Sequence, residues 1–166
     1  EKEEIFDVWV CFSLVKNKNI EILVEKVTEI GITKIIPMIT YFSNKKIIRS
    51  DRLRKISIEA SEQSNSINIP IIEEVIEIKE LIKDWDEKRL ICFCDEKGGK
   101  PIIEIAPILK GYKKIALFIG PIGGWSENDR KLFDSLQIFR AKLGDNVLKA
   151  DTAAVYSLSC LKALLK

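Results

Sequence analysis

Three groups of residues in this sequence have types and spacings that could do chemistry. The first is the turn Gly120-Pro121-Ile122-Gly123-Gly124, followed by Trp125 and Ser126. Glycines let main chain come close to a ligand and adopt dihedral angles that a β-carbon forbids. Ser126 is suited to cap a helix whose first turn holds Glu127 and Asp129. Those acids suit the helix dipole but repel an anion, and no Gly-Lys-Ser/Thr follows, so the turn suits a neutral or cationic ligand better than a phosphate. The second group is basic: Lys45, Lys46, Arg49, Arg52, Arg54 and Lys55 stand against Asp51 alone between Asn44 and Lys55. Such a run is either a solvated face or an electrostatic footprint for nucleic-acid phosphates. The third is Glu59, Gln63 and Ser66, which share one helical face that is either simply wet or turned into a cleft.

Composition limits the chemistry further. There is no histidine, so Ser-His-Asp and Cys-His arrangements are excluded. Proton transfer near neutral pH must then use a carboxylate, lysine, tyrosine, cysteine or water. Cys11, Cys92, Cys94 and Cys160 are scattered and read as buried free thiols of a reducing cytosol rather than a zinc site. No metal is expected. A net charge of +2 is too small to argue for nucleic acid without uneven distribution. No apolar run approaches membrane-spanning length, so no membrane partner is expected. The chain of 166 residues suits one domain, and its first residue, Glu1, suggests a piece of a longer protein.

The elements that must position these residues can be read from periodicity. Ile115 to Ile119 is a branched and aromatic run that ends at glycine, which predicts a strand buried on both faces with its turn at the ligand-binding edge of an open sheet. Similar runs at Val8 to Val15, Lys34 to Ile39 and Arg89 to Cys94 predict further strands, with Pro37 hinting at an irregular or edge position. Asn19 is expected to cap a helix with Ile20, Leu23, Val24, Val27 and Ile30 inward and Gly31 at its end. A second helix starts at Ser50 or Asp51. A helix or irregular segment follows Pro101, another helix spans Ser126 to Leu136, and a strand spans Ile138 to Leu143. Leu148 to Lys166 closes the chain as a very apolar helix, capped by Asp151 or Thr152, that is deeply buried or shared with another subunit. This alternation predicts an α/β fold with a largely parallel sheet flanked by helices.

Four stretches, in this order and spacing, resemble one known family: Lys26-Val-Thr-Glu29-Ile-Gly31-Ile32; Glu59-Ala60-Ser-Glu-Gln63-Ser64 with Pro70; Gly120-Pro121-Ile-Gly123-Gly124-Trp-Ser126; and Leu143-Gly144-Asp-Asn-Val-Leu148-Lys149-Ala-Asp151-Thr152-Ala153. They are similar to the 16S ribosomal RNA (uracil-N3)-methyltransferases, the RsmE family of the SPOUT superfamily. The resemblance covers nearly all of residues 1–166 as one SPOUT methyltransferase domain, without the N-terminal PUA-like RNA-binding domain that family members usually carry. It implies a C-terminal trefoil knot, a homodimer formed through the C-terminal helix, a cytoplasmic location and the small ribosomal subunit as partner. It also implies S-adenosylmethionine as cofactor and methyl transfer to N3 of a uridine. By the same resemblance the cofactor would contact Phe93, Cys94, Ile119, Gly120, Gly123, Gly124, Leu143, Gly144, Val147, Leu148 and Ala153. Lys149, Asp151 and Glu59 are the catalytic candidates; Lys45, Lys46, Arg49, Arg52 and Gln63 are the candidates for RNA.

The chain departs from the family pattern in places. Ile122 replaces the acid of the usual Gly-Pro-Glu-Gly-Gly turn, and Ser66 replaces an arginine. Asn146, Lys149 and Asp151 stand where the pattern has two arginines and a glutamate. Lysine keeps the charge of arginine without its fork. Two alternatives therefore accompany the enzyme reading: a catalytically degenerate RNA- or ribosome-binding protein, and an enzyme with another target nucleotide.

Overall fold

In the computed structural model, which describes residues 6–44 and 48–164, strands and helices alternate along the chain. The order is β1 (Asp7–Ser13), α1 (Asn17–Ile30), β2 (Lys34–Ile39), α2 (Ser50–Gln63), β3 (Ile71–Ile72), β4 (Ile76–Glu77), α3 (Ile78–Lys83) and β5 (Leu90–Cys94). There follow β6 (Lys100–Pro101), α4 (Ile102–Leu109), β7 (Lys114–Ile119), α5 (Glu127–Lys131), β8 (Ile138–Lys142) and α6 (Ala150–Leu164). Among the described residues the strands form one sheet in the order β3-β2-β1-β7-β5-β8-β6, with β4 also on β2. Every pairing is parallel.

Parallel strands need crossovers, and these helices cover both faces of the sheet. Alternation along each strand divides the core in two. Val8, Val10 and Phe12 of β1, with Ile115, Leu117 and Ile119 of β7, pack with α1, α4 and α6. Their neighbours Cys11, Ile91, Phe93, Ala116 and Phe118 pack on the other face with Ile78, Ile82, Trp125 and Phe133. Cys92 and Cys94 belong to the first layer and Cys11 to the second, so the thiols are divided between the faces of the sheet.

Local chemistry explains where the observed boundaries differ from the pattern. Pro37 is not on an edge strand. It pairs with Phe12 on one side, and on the other it falls where the neighbour changes from β3 at Ile35 to β4 at Met38, so its missing N–H costs no ladder bond there. Asn19 lies inside the first turn of α1 instead of capping it, and its side chain donates to Asp151 of α6 at 3.3 Å. Asp151 and Thr152 likewise sit within the first turn of α6, which begins at Ala150 rather than Leu148. Ser126 does cap α5, accepting from the Asp129 N–H at 3.0 Å. That helix ends at Lys131, well short of Leu136. Beyond it, three-residue turns such as Phe133 N–H to the Arg130 carbonyl swing Phe133 into the core.

Gly31 ends α1 at φ +108°, its N–H bonded to the Val27 carbonyl. The inner stripe of α6 is Ala154, Leu158 and Leu161, each wholly buried, while Thr152, Tyr156, Ser159 and Ala163 face outward. Leu158→Ala should therefore lower stability by about 2–4 kcal/mol through the cavity it leaves. Ser159→Ala, one residue along, should change it by less than ~0.5 kcal/mol. Urea midpoints of the two variants decide which face is inside.

Candidate functional site

Because the sheet is parallel, the loops that leave β5, β7 and β8 share one edge, the usual ligand edge of such sheets. They enclose a cleft with three walls: Cys94, Asp95 and Glu96; Ile119, Gly120 and Pro121; and Leu143, Gly144, Asn146 and Leu148, with Ala153 of α6 at the end. The depression is shallow and opens to solvent. Main-chain groups of residues 143–148 make no hydrogen bond to any described residue, so N–H and C=O groups there remain available.

The walls are tied together by a carboxylate. Asp95 follows β5 directly, and its side chain is fully buried. It accepts from Arg130 Nε at 3.1 Å and Nη2 at 2.8 Å, and from Arg140 Nη2 at 2.7 Å. The Lys97 N–H adds a further bond at 3.0 Å. Burial alone would raise the Asp95 pKa, but the hydrogen bonds from Arg130 and Arg140 outweigh it and bring it from an ordinary 3.8 to about 2. Arg130 also donates to the Trp125 carbonyl at 2.7 Å, and the Trp125 indole N–H donates to the Cys94 carbonyl at 2.9 Å. One acid and one indole thus lock the ends of β5, α5 and β8 against the glycine turn.

Two glycines of the turn have specific reasons to be glycine. A β-carbon at Gly120 would lie 2.9 Å from the Trp125 ring, so its absence admits the indole. Gly124 has φ +75°, and a β-carbon there would fall on the Glu96 carboxylate. The turn closes with the Gly124 N–H bonded to the Pro121 carbonyl at 2.8 Å.

Of the residues expected to meet a cofactor, Cys94, Ile119, Gly120, Leu143, Gly144, Leu148 and Ala153 line this cleft. Phe93 does not: alternation along β5 turns it to the opposite face, where it stacks on Trp125 at 4.5 Å. Gly123 lies against Phe42 and Gly124 against Glu96, while the Val147 side chain is 67% exposed. The Cys94 thiol is held well above its usual range, first by its hydrogen bond with Cys92 and then by burial, so it is neutral and no nucleophile.

Lys149 is exposed on the link into α6. Asp151 is half-buried and held by Asn19. Glu59 is not near them; with Gln63 and Arg52 it lines a separate groove between α1 and α2. The basic segment is weaker than its residue count suggests. Arg52 is paired with Glu21, and Arg54 with Glu74 at 2.8 Å, leaving Arg49 and Lys55 exposed without such an acid among the described residues. Lys45 and Lys46 lie outside the described residues.

Asp95 and Glu96 are site residues that the sequence did not single out, whereas Pro121 and Asn146 lie inside the turn and the loop that it did. The available signal was an acid immediately after a wholly apolar strand, a position where a carboxylate is buried and needs partners.

A sequence model of the RNA methyltransferase domain matches residues 1–162. The chain belongs to this family. It is 32% identical over 153 residues to ribosomal RNA small subunit methyltransferase E of Rickettsia conorii, covering 92% of this chain and 62% of that protein. The chain thus spans about three fifths of the curated relatives it matches. Its fold matches the Neisseria gonorrhoeae ribosomal RNA small subunit methyltransferase E bound to S-adenosyl methionine, with TM-score 0.84 and 21% identity over 96% of this chain and 66% of that one. It also matches a Legionella pneumophila protein in complex with the bound cofactor SAM, with TM-score 0.84, 25% identity and the same coverage. The resemblance carried by the four motifs is borne out. No helix among the described residues is long and apolar enough to cross a membrane, and no group of three or more metal-ligating side chains occurs among them.

The depressed Asp95 pKa has a sign that can be tested. Its ionised form stabilises this domain above pH 4, and that contribution is lost as pH falls toward 2. Asp95→Asn should therefore cost about 2 kcal/mol near neutral pH. The gap from wild type should close between about pH 4 and pH 2 in urea unfolding measured at each pH.

Proposed function

We propose that this chain is the catalytic domain of an S-adenosylmethionine-dependent methyltransferase acting on N3 of a uridine in small-subunit ribosomal RNA. The observation that carries this reading is the cleft at the sheet edge, walled by three loops, one of which, 143–148, has main-chain groups with no hydrogen bond to any described residue. The residues present fit the cofactor. Free N–H and C=O groups at 143–148 can read the edge of a heterocycle, and the apolar Ile119, Leu143, Leu148 and Ala153 can cover its faces. The acids Glu96, Glu127 and Asp129 suit a cation and repel phosphate, and Glu96 stands at the cleft itself. When bound, the cofactor supplies a methyl group already activated on a positively charged sulfur.

The protein's part is then to position and to handle charge. Hydrogen bonds from the loops fix the donor, and the Asp95 clamp keeps their spacing, so the methyl group meets the acceptor in line. N3 of uracil loses a proton as it is methylated. We assign Lys149 as the cation that stabilises the developing negative charge, with Asp151 orienting the start of α6 beneath it. Water or a carboxylate takes the proton. Glu59 and Gln63, which lie in their own groove, contact RNA on this reading; the exposed Arg49 and Lys55, rather than the Glu21-paired Arg52, contribute phosphate contacts that position the strand without selecting it.

The substituted motif positions leave this arrangement usable. Ile122 is 64% exposed, and Asn146 lines the cleft without closing it. The outward residues Thr152, Val155, Tyr156, Ser159 and Ala163 of α6 are themselves uncharged and suited to a second copy; we propose a cytoplasmic homodimer formed there. After β8, beyond β5 on the outer side of the sheet, the chain returns so that α6 packs over β7 and against α1. That path supports the trefoil threading implied by the family.

Incubating small ribosomal subunits with the protein and labelled cofactor, then digesting the RNA for mass spectrometry, should give 3-methyluridine. Lys149→Ala should lower the rate by roughly tenfold or more, as loss of a charge-stabilising group does, while cofactor affinity stays within about twofold. Methyl on another atom, or equal losses in rate and affinity, would contradict the assignment.

A further inference from the structure

Beside the cleft the chain displays two aromatic side chains that the methyl-transfer reading leaves unused. Tyr41 and Phe42 follow β2 and are 69% and 50% exposed. Exposing two adjacent large rings costs hydrophobic free energy, and this loop spends further interactions to hold them there. The Tyr41 N–H donates to the buried Asp129 carboxylate of α5 at 2.9 Å. The Thr40 N–H donates to Ser43 Oγ at 3.1 Å, and the Asn44 N–H to the Leu14 carbonyl at 2.8 Å. On its other side the loop touches the glycine turn: a β-carbon at Gly123 would lie 3.1 Å from Phe42 Cβ. Gly120 and Pro121 of that same turn line the cleft.

The two rings meet edge to face, with centroids 4.9 Å apart and planes at 89°. In such a pair the edge-on ring keeps both faces clear of its partner, and the other ring keeps one. The pair is fixed by main-chain bonds, sits next to the methyl-transfer cleft, and is followed in sequence by exposed Arg49 and Lys55. Fixed, exposed ring faces are what unpaired bases of single-stranded RNA use, since every base has a face to stack.

We propose that Tyr41 and Phe42 are a stacking platform for an unpaired base of the RNA substrate, holding the strand so that its target nucleotide enters the neighbouring cleft. This rests on the RNA methyltransferase reading for its ligand, and on the loop geometry for its place. Gly123 then has a defined job, which is to leave room for Phe42. Asp129 likewise serves the platform by its carboxylate as well as serving α5.

The test uses the intact protein, a short fluorescein-labelled uridine-rich single strand, and anisotropy titrations at several salt concentrations. Tyr41→Ala with Phe42→Ala should weaken RNA binding by about tenfold or more. The slope of log affinity against log salt should not change, because no phosphate contact is lost. The exchange Tyr41→Phe with Phe42→Tyr, which keeps both rings, should bind within about twofold of wild type. Calorimetric affinity for S-adenosylmethionine should match wild type in all variants. Wild type that ignores the strand, an alanine pair that binds it as well as wild type, or ring-keeping variants that lose as much as alanine would overturn the platform. So would an alanine pair that shifts the sedimentation of the RNA-free protein, since the rings would then be a contact between copies. Ring-dependent RNA binding with no binding of the cofactor would instead overturn the enzyme reading and leave the platform standing.

Discussion

The buried carboxylate of Asp95 is the interaction on which the site depends. It closes β5, and without partners its charge could not stay there. Arg130 reaches it from α5 and Arg140 from β8, so the strand ends around the cleft are joined through one side chain. The Trp125 indole makes the same connection through the Cys94 carbonyl, in the space that Gly120 leaves open. A binding edge made of loops would otherwise be the least ordered part of an α/β domain. Here it is cross-braced, which is what recognition by main chain requires, because its donors and acceptors cannot adjust as side chains do.

Much of the scaffold could be read from the chain. β7 and β2 fall on the apolar runs that predict them, and the parallel sheet follows from alternating strand and helix patterns. The stripe of α1, its end at Gly31 and the cap at Ser126 are local signals, and each is realised. The glycine turn pointed to the correct sheet edge because an apolar strand that stops at glycine has few other meanings in an open sheet. The family resemblance added what local patterns could not, namely which two other loops meet that turn.

What sequence could not supply were interactions between distant parts of the chain. Asp95 is separated from Arg140 by 45 positions, and nothing local marks the two as partners. Arg52 and Arg54 looked like free cations because Glu21 and Glu74, their acids, come from other elements. Periodicity overextended α5, since the apolar residues that seemed to continue it instead form tight turns that send Phe133 into the core. Phe93 was placed in the cleft by its position in a motif, although strand alternation sends its side chain to the other face. Glu59 and Asp151 both come from motifs of the family pattern, but Glu59 lines the groove between α1 and α2 while Asp151 is held by Asn19 at the start of α6.

Taken together, the cleft is a site in which the backbone binds and the side chains brace. The most direct measurement of that claim is an amide nitrogen–proton correlation spectrum of the isotope-labelled protein during titration with S-adenosylmethionine. The amides of residues 94–96, 119–120 and 143–148 should shift together with one affinity, while those of α2 around Glu59 and Gln63 stay in place. No shifts, or shifts centred on the groove between α1 and α2, would contradict it.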